Sequence, residues 1–526
     1  MRIWRKGAAA LLAAALLVGV AQAKPAKIGA PPAPLTEEQL VAAHGLMPDQ
    51  VGYVVFDPAT GGLLAARNAD RAFIPASVAK VPTAVAALAV LGPQHRFETA
   101  LLADGPIADG VLAGDLYLKG GGDPLLMTED LGVLVEALKA RSVVRVAGRF
   151  AYDVSLLPPI DQIDPVQPDA AQYNPGLSAL TLNFNRIALA WEHDGAPGSL
   201  KATAFSESRD GSLPVAGILY GTAPPGPGPA VPLVRAAGDP REHWLISPQI
   251  EKAGRTWLPL RRPGAVAAQI FRSLCAEAGI ALPAPEPGVA PEQAAVLAVR
   301  QSEPLVEILR ATLKYSNNLA AELAGLATAR RLAGETLSLD RASAVVADWY
   351  RRTLPDTDWA GYRLDNFSGL SSASRATPAQ IAAILAYAAG RQHDGGDFAS
   401  LLPLLPWETE NDANGAGGKG AKRGGRGRAP ATWKPDPAPD AALRAKTGTV
   451  AYGRGLAGYV EPASGGRFGF VIFISDLERR RAFDASPQVR SLILPPEAKD
   501  WLRRARSLER ALLLRWTADR PRGPPP

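Results

Sequence analysis

Short apolar runs with strand character occur near both ends of the chain. Val51 to Asp57 and Leu63 to Arg67 are two such runs, and the Pro-Ala-Thr-Gly-Gly stretch between them is typical of a turn. Near the other end, strand patterns occupy Arg444 to Thr449, Gly455 to Val460 and Phe468 to Ser475. The pattern therefore predicts one sheet whose strands come from both ends of the chain.

Helical periodicity fills much of the remaining chain. Val78 to Leu91 is an apolar run of helical length that begins directly after Ser77. Further helical patterns cover residues 36–46, 265–280, 303–333, 339–352 and 377–389.

Between residues 101 and 264 the pattern changes. Short strand candidates, broken by many Gly and Pro, include Asp115 to Lys119, Ser178 to Leu182 and Ile187 to Glu192. This texture predicts a separate, mostly β unit. The simplest architecture is an α+β domain that this unit interrupts.

Residues 501–516 form a strongly amphipathic helical pattern. Its apolar positions repeat every three or four residues, and five arginines occupy other positions; the apolar residues are Trp501, Ala505, Leu508, Leu512 and Trp516. Such a helix can pack on the core of its own domain, or it can lie on an anionic membrane surface.

The first residues have the features of an export signal. Three cations precede the apolar run Gly7 to Val20, which ends at the small-x-small sequence Ala21-Gln22-Ala23. The run is shorter than the roughly 20 residues that a membrane-spanning helix needs. We therefore predict a cleaved signal peptide at residues 1–23 and a periplasmic protein, with an uncleaved anchor as the alternative. Cys275 is the only cysteine, so an internal disulfide and a cysteine-rich metal site are excluded.

Composition favours a soluble protein of several domains, since the 526 residues are 47% hydrophobic and 21% charged. A positive formal net charge, here +6, is a feature of nucleic-acid-binding proteins. However, the excess of positive charge lies in one Gly-rich segment without aromatic residues, which contains Lys419, Lys422, Arg423, Arg426 and Arg428. We predict a flexible basic insertion at 411–440 and no nucleic-acid partner, and we consider a peripheral contact of this segment with cell wall or membrane.

Three short motifs carry the candidate chemistry: Ser77-Val78-Ala79-Lys80, Ser316-Asn317-Asn318 and Lys446-Thr447-Gly448. In the first, a serine at a helix start has a lysine on the same face three residues later. A serine hydroxyl needs a neighbouring base, and a lysine serves if burial or nearby cations lower its pKa. The alternative for this motif alone is a capping serine with a surface lysine.

The other two motifs supply polar groups around a nucleophile. Ser316 could relay a proton to a leaving group, and the amide of Asn318 could hold a substrate carbonyl and the lysine; alternatively, both are turn and cap residues. Lys446 and Thr447 suit a substrate carboxylate, Gly448 gives room for close backbone approach, and the N–H groups of Ser77 and Thr449 could form an oxyanion hole.

The sequence resembles the low-molecular-mass, class C penicillin-binding proteins, which are D-alanyl-D-alanine carboxypeptidases and endopeptidases. Besides the three motifs, the resemblance rests on Gly114-Asp115-Leu116-Tyr117-Leu118-Lys119-Gly120-Gly121-Gly122-Asp123-Pro124, Ser368-Gly369-Leu370-Ser371 and Leu456-Ala457-Gly458-Tyr459. It implies an α+β, serine β-lactamase/transpeptidase-like catalytic domain, with an antiparallel sheet and helices, interrupted by a large inserted domain. The expected parts are 35–100 and 265–500 for the catalytic domain, 101–264 for the insertion and 501–526 for the terminal helix and tail.

The resemblance implies an acyl-enzyme on Ser77, with peptidoglycan stem peptides as substrates, β-lactams as covalent inhibitors and no metal or cofactor. It also suggests that Asp153, in the insertion, meets the cationic end of a diaminopimelate side chain; a solvated loop carboxylate is the alternative. Two other functions stay open on this fold. One is a serine β-lactamase, and the other is a catalytically silent peptidoglycan-binding protein.

Overall fold

The computed structural model describes residues 35–518 except 195, 197–198, 210, 223–232, 236–241, 248, 394–395, 408–439 and 464. The predicted signal peptide and nearly all of the predicted basic insertion lie outside the described residues. The helices are α1 (Glu37–Ala43), α2 (Lys80–Leu91), α3 (Gly132–Lys139), α4 (Pro263–Glu277), α5 (Leu305–Tyr315), α6 (Asn318–Ala333), α7 (Leu339–Thr353), α8 (Pro378–Ala389), α9 (Leu477–Asp484) and α10 (Pro496–Ala518).

The strands that precede helix α4 are short. They are β1 (Val51–Phe56), β2 (Leu63–Arg67), β3 (Glu98–Ala103), β4 (Ile107–Ala108), β5 (Val111–Leu112), β6 (Leu116–Lys119), β7 (Arg145–Val146), β8 (Phe150–Asp153), β9 (Arg186–Glu192), β10 (Lys201–Ser208), β11 (Gly211–Pro214), β12 (Leu219–Thr222), β13 (Leu233–Arg235), β14 (His243–Ile246) and β15 (Ala253–Pro259). The later strands are β16 (Pro285–Pro287), β17 (Ala295–Gln301), β18 (Gln392–His393), β19 (Gly396–Asp397), β20 (Leu404–Leu405), β21 (Ala441–Val450), β22 (Gly453–Pro462) and β23 (Phe468–Ser475).

A six-stranded antiparallel sheet joins the two ends of the chain, in the order β2-β1-β23-β22-β21-β20. Side chains alternate between its two faces. Val54 and Phe56 belong to the core shared with helices α2, α5, α6, α7 and α8, whereas Tyr53 and Val55 pack with α1 and α10. The predicted sheet, with its hairpin at 51–67, is confirmed.

Helix α10 covers the outer face of that sheet. Its apolar residues, including Trp501, Leu508 and Leu512, are buried there, and Trp516 packs on Tyr53 with ring centroids 5.1 Å apart. The apolar face of the helix is therefore used within the domain, which is the first of the two predicted alternatives. None of the helices among the described residues is both long enough and apolar enough to cross a bilayer.

A second core lies around a five-stranded sheet with the order β16-β8-β6-β3-β17, together with smaller sheets of β9 to β15. Strands β16 and β17 belong to this unit although they follow residue 264, and so does helix α4, with the buried Cys275, which runs past that residue. Because their pairing partners are β8 and β3, we propose that the inserted unit extends from about residue 98 to 301.

Two sequence predictions of local structure are wrong. Ser178 to Leu182 is no strand: it bends at Ala179 and Leu180, and the Ala179 carbonyl accepts a hydrogen bond from Gly122 N at 2.7 Å. The helix predicted at 303–333 is two helices, because Ser316 adopts left-handed backbone angles (φ 54°, ψ 37°) and ends α5. That break brings the second motif to a turn.

Candidate active site

The first motif lies at a tightly packed turn. Ser77 is in a single 3-10 turn, Ala76–Ala79, which continues into α2 at Lys80. Ala76 has a φ of 46°, in the left-handed region that a residue with a Cβ rarely adopts. A Cβ on Gly369 would lie 1.8 Å from the carbonyl oxygen of Ala76, so only glycine allows this neighbouring loop to pack on the turn. The surrounding structure thus holds the backbone before Ser77 in a strained conformation.

Lys80 is the centre of the site. Its side chain is buried, and its Nζ lies 3.0 Å from Ser77 Oγ, 2.7 Å from Asn318 Oδ1 and 2.8 Å from the carbonyl oxygen of Ser368. The alternative of a surface lysine for this motif is therefore wrong. The contacts join the first motif, the second motif and the Ser368 loop around one amino group.

Burial lowers the pKa of Lys80 well below its usual range, the charge of Lys446 adds to that shift, and the charge of Glu322 opposes it. A neutral amine has two N–H donors and one lone pair. Two of the three partners of Nζ are carbonyl-type oxygens that can only accept, whereas the hydroxyl of Ser77 can also donate. The geometry therefore suits a neutral Lys80 whose lone pair receives the Ser77 proton.

Glu322 is a functional neighbour that the sequence reasoning missed. It is fully buried on α6, and its carboxylate accepts hydrogen bonds from the backbone N–H groups of Phe367 at 2.9 Å and Ser368 at 2.8 Å. Burial raises its pKa, and the charge of Lys80 opposes that rise. The available signal was a glutamate one helical turn after Asn318 in an otherwise apolar run.

The second motif divides its roles among three residues. Asn317, for which no role was predicted, is the N-cap of α6 and accepts a hydrogen bond from Ala320 N at 3.1 Å. Asn318 instead reaches Lys80 with its oxygen and donates from Nδ2 to the carbonyl of Tyr173 at 2.9 Å. Ser316 lines the same cavity as Asn318, so the motif forms part of the wall of the site.

The third motif lies on β21. Lys446 is buried, and its Nζ donates to the carbonyl of Thr447 at 2.6 Å. Burial lowers the pKa of Lys446 to about 7, and the charge of Arg454 contributes. A Cβ on Gly448 would lie 2.7 Å from the carbonyl oxygen of Pro75 and 3.0 Å from Ser77 N. The glycine therefore allows the strand to pass directly beside the backbone of the nucleophile, as the sequence suggested.

Thr449 is held from outside the motifs. Arg454 on β22 donates to Thr449 Oγ1 at 2.6 Å and forms a buried ion pair with Glu509 of α10, where Nε and Oε2 are 2.8 Å apart. The terminal helix is thus connected to the third motif through one arginine. Sequence reasoning found neither Arg454 nor Glu509, because their pairing joins elements that are distant in sequence.

Asp153 is not placed to receive a substrate. Its side chain is fully buried; one carboxylate oxygen accepts from Ser155 N at 2.9 Å and Ser155 Oγ at 2.6 Å, and the other accepts from Ala290 N at 3.0 Å. The expected contact with a diaminopimelate side chain is therefore not supported, and a solvated loop position is equally wrong. The carboxylate instead ties β8 to the 288–290 loop.

Among the described residues, no group of three or more His, Cys, Asp or Glu side chains is arranged to hold a metal ion. The set of a Ser-x-x-Lys, a Ser-x-Asn and a Lys-Thr-Gly motif, brought together on an α+β fold, is the one found in penicillin-binding proteins and serine β-lactamases. Residues 37–492 match the D-Ala-D-Ala carboxypeptidase 3 (S13) family, and the chain belongs to that family.

Two curated relatives are similar over part of their length. A D-alanyl-D-alanine carboxypeptidase of Actinomadura sp. (strain R39) is 28% identical over 355 residues, which is 64% of this chain and 64% of the relative. The D-alanyl-D-alanine carboxypeptidase DacB of Haemophilus influenzae is 36% identical over 106 residues, which is 20% of this chain and 22% of the relative. The matches span less than two thirds of each relative.

Solved structures show the same fold. The crystal structure of penicillin binding protein 4 from Haemophilus influenzae matches with a TM-score of 0.68 and 21% identity, covering 90% of this chain and 99% of that chain. The same protein complexed with a β-lactam matches with a TM-score of 0.65 and 22% identity, covering 92% and 99%. The predicted fold, a transpeptidase-like domain with an inserted domain, is confirmed.

Proposed function

We propose that this chain is a serine-type D-alanyl-D-alanine carboxypeptidase/endopeptidase that trims or cleaves peptidoglycan stem peptides through an acyl-enzyme on Ser77. The observation that carries the proposal is the buried amino group of Lys80, 3.0 Å from Ser77 Oγ, with two acceptor oxygens at its other contacts. The family membership and the named activity of the relatives support the same reaction. Penicillins acylate the same serine in this account.

Acylation begins with proton transfer. Ser77 Oγ attacks the carbonyl carbon of the scissile D-Ala–D-amino-acid bond while its proton passes to Lys80 Nζ. The negative charge that develops on the carbonyl oxygen is received by the backbone N–H groups of Ser77 and Thr449. Close passage of Gly448 beside Ser77 N supports that pairing of donors.

The leaving amine needs a proton before the C–N bond breaks. Ser316, which shares the cavity wall with Asn318, is assigned the relay of the proton from Lys80 to that nitrogen. The acyl-enzyme that remains is an ester of Ser77. A water molecule attacks its carbonyl carbon and gives a proton to Lys80, which passes it to Ser77 Oγ as the ester C–O bond breaks and the shortened peptide leaves with a new carboxyl group. The second N–H of the Asn318 amide is assigned to the carbonyl of the substrate's acyl half.

Recognition of the terminal carboxylate is assigned to Lys446 and Thr447. A carboxylate beside the amino group of Lys446 favours its protonated form, which opposes the effect of burial on its pKa. The proposal uses no metal or organic cofactor, because nucleophile, base and carboxylate-binding groups are all side chains of the chain itself. We further propose export to the periplasm through residues 1–23, where peptidoglycan is available.

The test is to incubate the purified protein with muropeptides and to identify the products by mass spectrometry. Release of D-alanine from pentapeptides indicates carboxypeptidase activity, and separation of cross-linked dimers indicates endopeptidase activity. Peptidoglycan binding without either product would contradict the proposal and favour a silent binding protein. A penicilloyl adduct that turns over within minutes, without peptide cleavage, would favour a serine β-lactamase.

A further inference from the structure

A groove adjoins the second motif and extends beyond the residues used in the reaction described above. Its volume is about 740 Å³, and the inserted unit and the α5–α6 turn both contribute to its lining. From the inserted unit come Tyr173, Phe184 and Arg186, and from the turn come Ser316 and Asn318. The hydrogen bond from Asn318 to the carbonyl of Tyr173 joins the two walls. The groove is therefore continuous with the site around Lys80.

Arg186 is the one charged side chain among the described residues that line the groove. It is half-buried, and its guanidinium carbon lies 5.4 Å from the ring centroid of Phe184 and 5.8 Å from that of Trp257. Within the part of the chain that the structure describes, no carboxylate pairs with it. Burial lowers its pKa, which reflects a cation that has lost water without gaining an anion.

The loop that presents Phe184 and Arg186 is built rigidly. Asn183, Phe184 and Asn185 have φ values of 50°, 57° and 52°, all in the left-handed region. Both asparagines are buried and hydrogen-bonded: Asn183 Nδ2 donates to Ser206 Oγ at 2.8 Å, and Asn185 Nδ2 donates to the carbonyl of Gly176 at 2.8 Å. A phenylalanine in this conformation costs energy, so the surrounding bonds hold the loop in place. The backbone from which Arg186 extends is thereby held at the groove wall.

The position of the groove relative to the motifs determines which half of a substrate it faces. In the proposed reaction, Lys446 and Thr447 hold the carboxylate of the leaving half, and Asn318 holds the carbonyl of the acyl half. Ser316, assigned to the scissile bond, and Asn318 both line the groove, whereas Lys446 and Thr447 do not, so the groove extends from the scissile bond toward the acyl side. A stem peptide continues from the acyl carbonyl into further residues, and the γ-linked D-glutamyl residue among them carries a free carboxylate.

We propose that this groove is a subsite for the acyl half of the stem peptide, in which Arg186 pairs with a second, non-terminal carboxylate. The inference rests on the proposed function. The lining is otherwise largely apolar or uncharged, which suits the methylene groups beside such a carboxylate and strengthens a guanidinium–carboxylate pair by excluding water. The inserted unit then has a role in substrate selection, because it supplies the cation and half of the residues that line the groove.

The test compares two synthetic stem pentapeptides that differ at one group: the γ-linked D-glutamyl α-carboxylate and its α-carboxamide. We expect Arg186→Gln to lower kcat/KM for the carboxylate peptide by on the order of 10- to 100-fold, the usual effect of losing a charge-assisted hydrogen bond. For the carboxamide peptide, kcat/KM should fall by less than about threefold. The double-mutant cycle then shows that Arg186 and the peptide carboxylate are energetically coupled. Arg186→Lys should restore part of the difference.

Arg145→Gln is the matched control, since it removes an exposed arginine of the inserted unit that does not line the groove. It should leave the ratio between the two peptides as in the wild type. Equal losses on both peptides in Arg186→Gln, or no loss on either, would overturn the inference. If the wild type cleaves neither peptide, the proposed function itself fails, which is a separate result.

Discussion

Glu322 and Lys80 are both hydrogen-bonded to the backbone of Ser368. Glu322 accepts a hydrogen bond from the backbone N–H of Ser368 at 2.8 Å, and Lys80 donates to the carbonyl of Ser368 at 2.8 Å. A buried carboxylate is costly unless it is hydrogen-bonded, and Glu322 accepts hydrogen bonds from two backbone N–H groups. We interpret it as a positioning residue for the base rather than as a group that touches substrate.

Replacing Glu322 tests that interpretation. Glu322→Gln keeps the shape but places an amide N–H against a backbone N–H, so we expect kcat/KM to fall by about tenfold. The charge of Glu322 raises the pKa of Lys80, so its loss should move the ascending limb of the pH profile to lower pH. Glu335→Gln, an exposed change just beyond α6, is the control. If Glu322→Gln reduces only the fraction of active protein and leaves the pH dependence of kcat/KM unchanged, Glu322 has a structural role alone.

Removing the base itself should have a larger effect. Lys80→Ala should lower the rate of acylation by penicillin by roughly 10² to 10⁴, the usual contribution of a positioned general base. Stopped-flow acylation with a chromogenic β-lactam measures this directly. An acylation rate within twofold of the wild type would contradict the assignment of Lys80 as the base.

The burial of Lys446 should lower the free energy of unfolding, although the residue is assigned to substrate binding. Burial lowers its pKa to about 7 in the folded chain, against an ordinary value of 10.5. Between these pH values the unfolded chain takes up a proton that the folded chain does not, so stability rises with pH in that window. Below about pH 7 the penalty is complete.

Lys446→Met should therefore stabilise the protein at pH 6, by on the order of 2 kcal/mol, while weakening peptide turnover. The difference in Tm between variant and wild type should shrink as pH approaches 10. Thermal unfolding at pH 6, 8 and 10 checks this. A variant that is less stable than the wild type at pH 6 would show that the ammonium group is stabilised by its surroundings.

Most of the fold followed from the sequence, because the strands of the central sheet and the helices around it have clear periodicity. The first and third motifs lie together in the structure, since Lys80 contacts Ser77 and Gly448 passes beside Ser77 N. The predictions that the structure does not support concern contacts between segments that are distant in sequence. The burial of Asp153 results from pairing with the 288–290 loop, which local sequence does not reveal.

The boundary of the insertion illustrates the same limit. Residues 285–301 have no composition that separates them from the catalytic domain, yet β16 and β17 pair with strands that precede them by more than a hundred residues. The role of Glu322 likewise appears only when its loop partners, Phe367 and Ser368, are brought to α6. Local periodicity predicts the helices and strands, whereas the contacts between them depend on the topology of the whole chain.

The link from α10 to the third motif gives a further prediction. Glu509→Ala leaves the guanidinium of Arg454 buried without its carboxylate, which should lower the free energy of unfolding by about 3 to 5 kcal/mol. Denaturant unfolding measures the change. Glu497→Ala, at an exposed position of the same helix, is the control and should change stability by less than about 0.5 kcal/mol. Equal stability of the two variants would contradict a structural role for the ion pair.

The central claim is that Ser77 is the nucleophile, and intact-protein mass spectrometry after incubation with penicillin tests it most directly. The account predicts that the wild type gains the mass of one penicilloyl group and that a peptide containing Ser77 carries it. Ser77→Ala, with the thermal stability of the wild type, should gain no mass. Stoichiometric acylation of Ser77→Ala, or an adduct on any other residue of the wild type, would contradict the account.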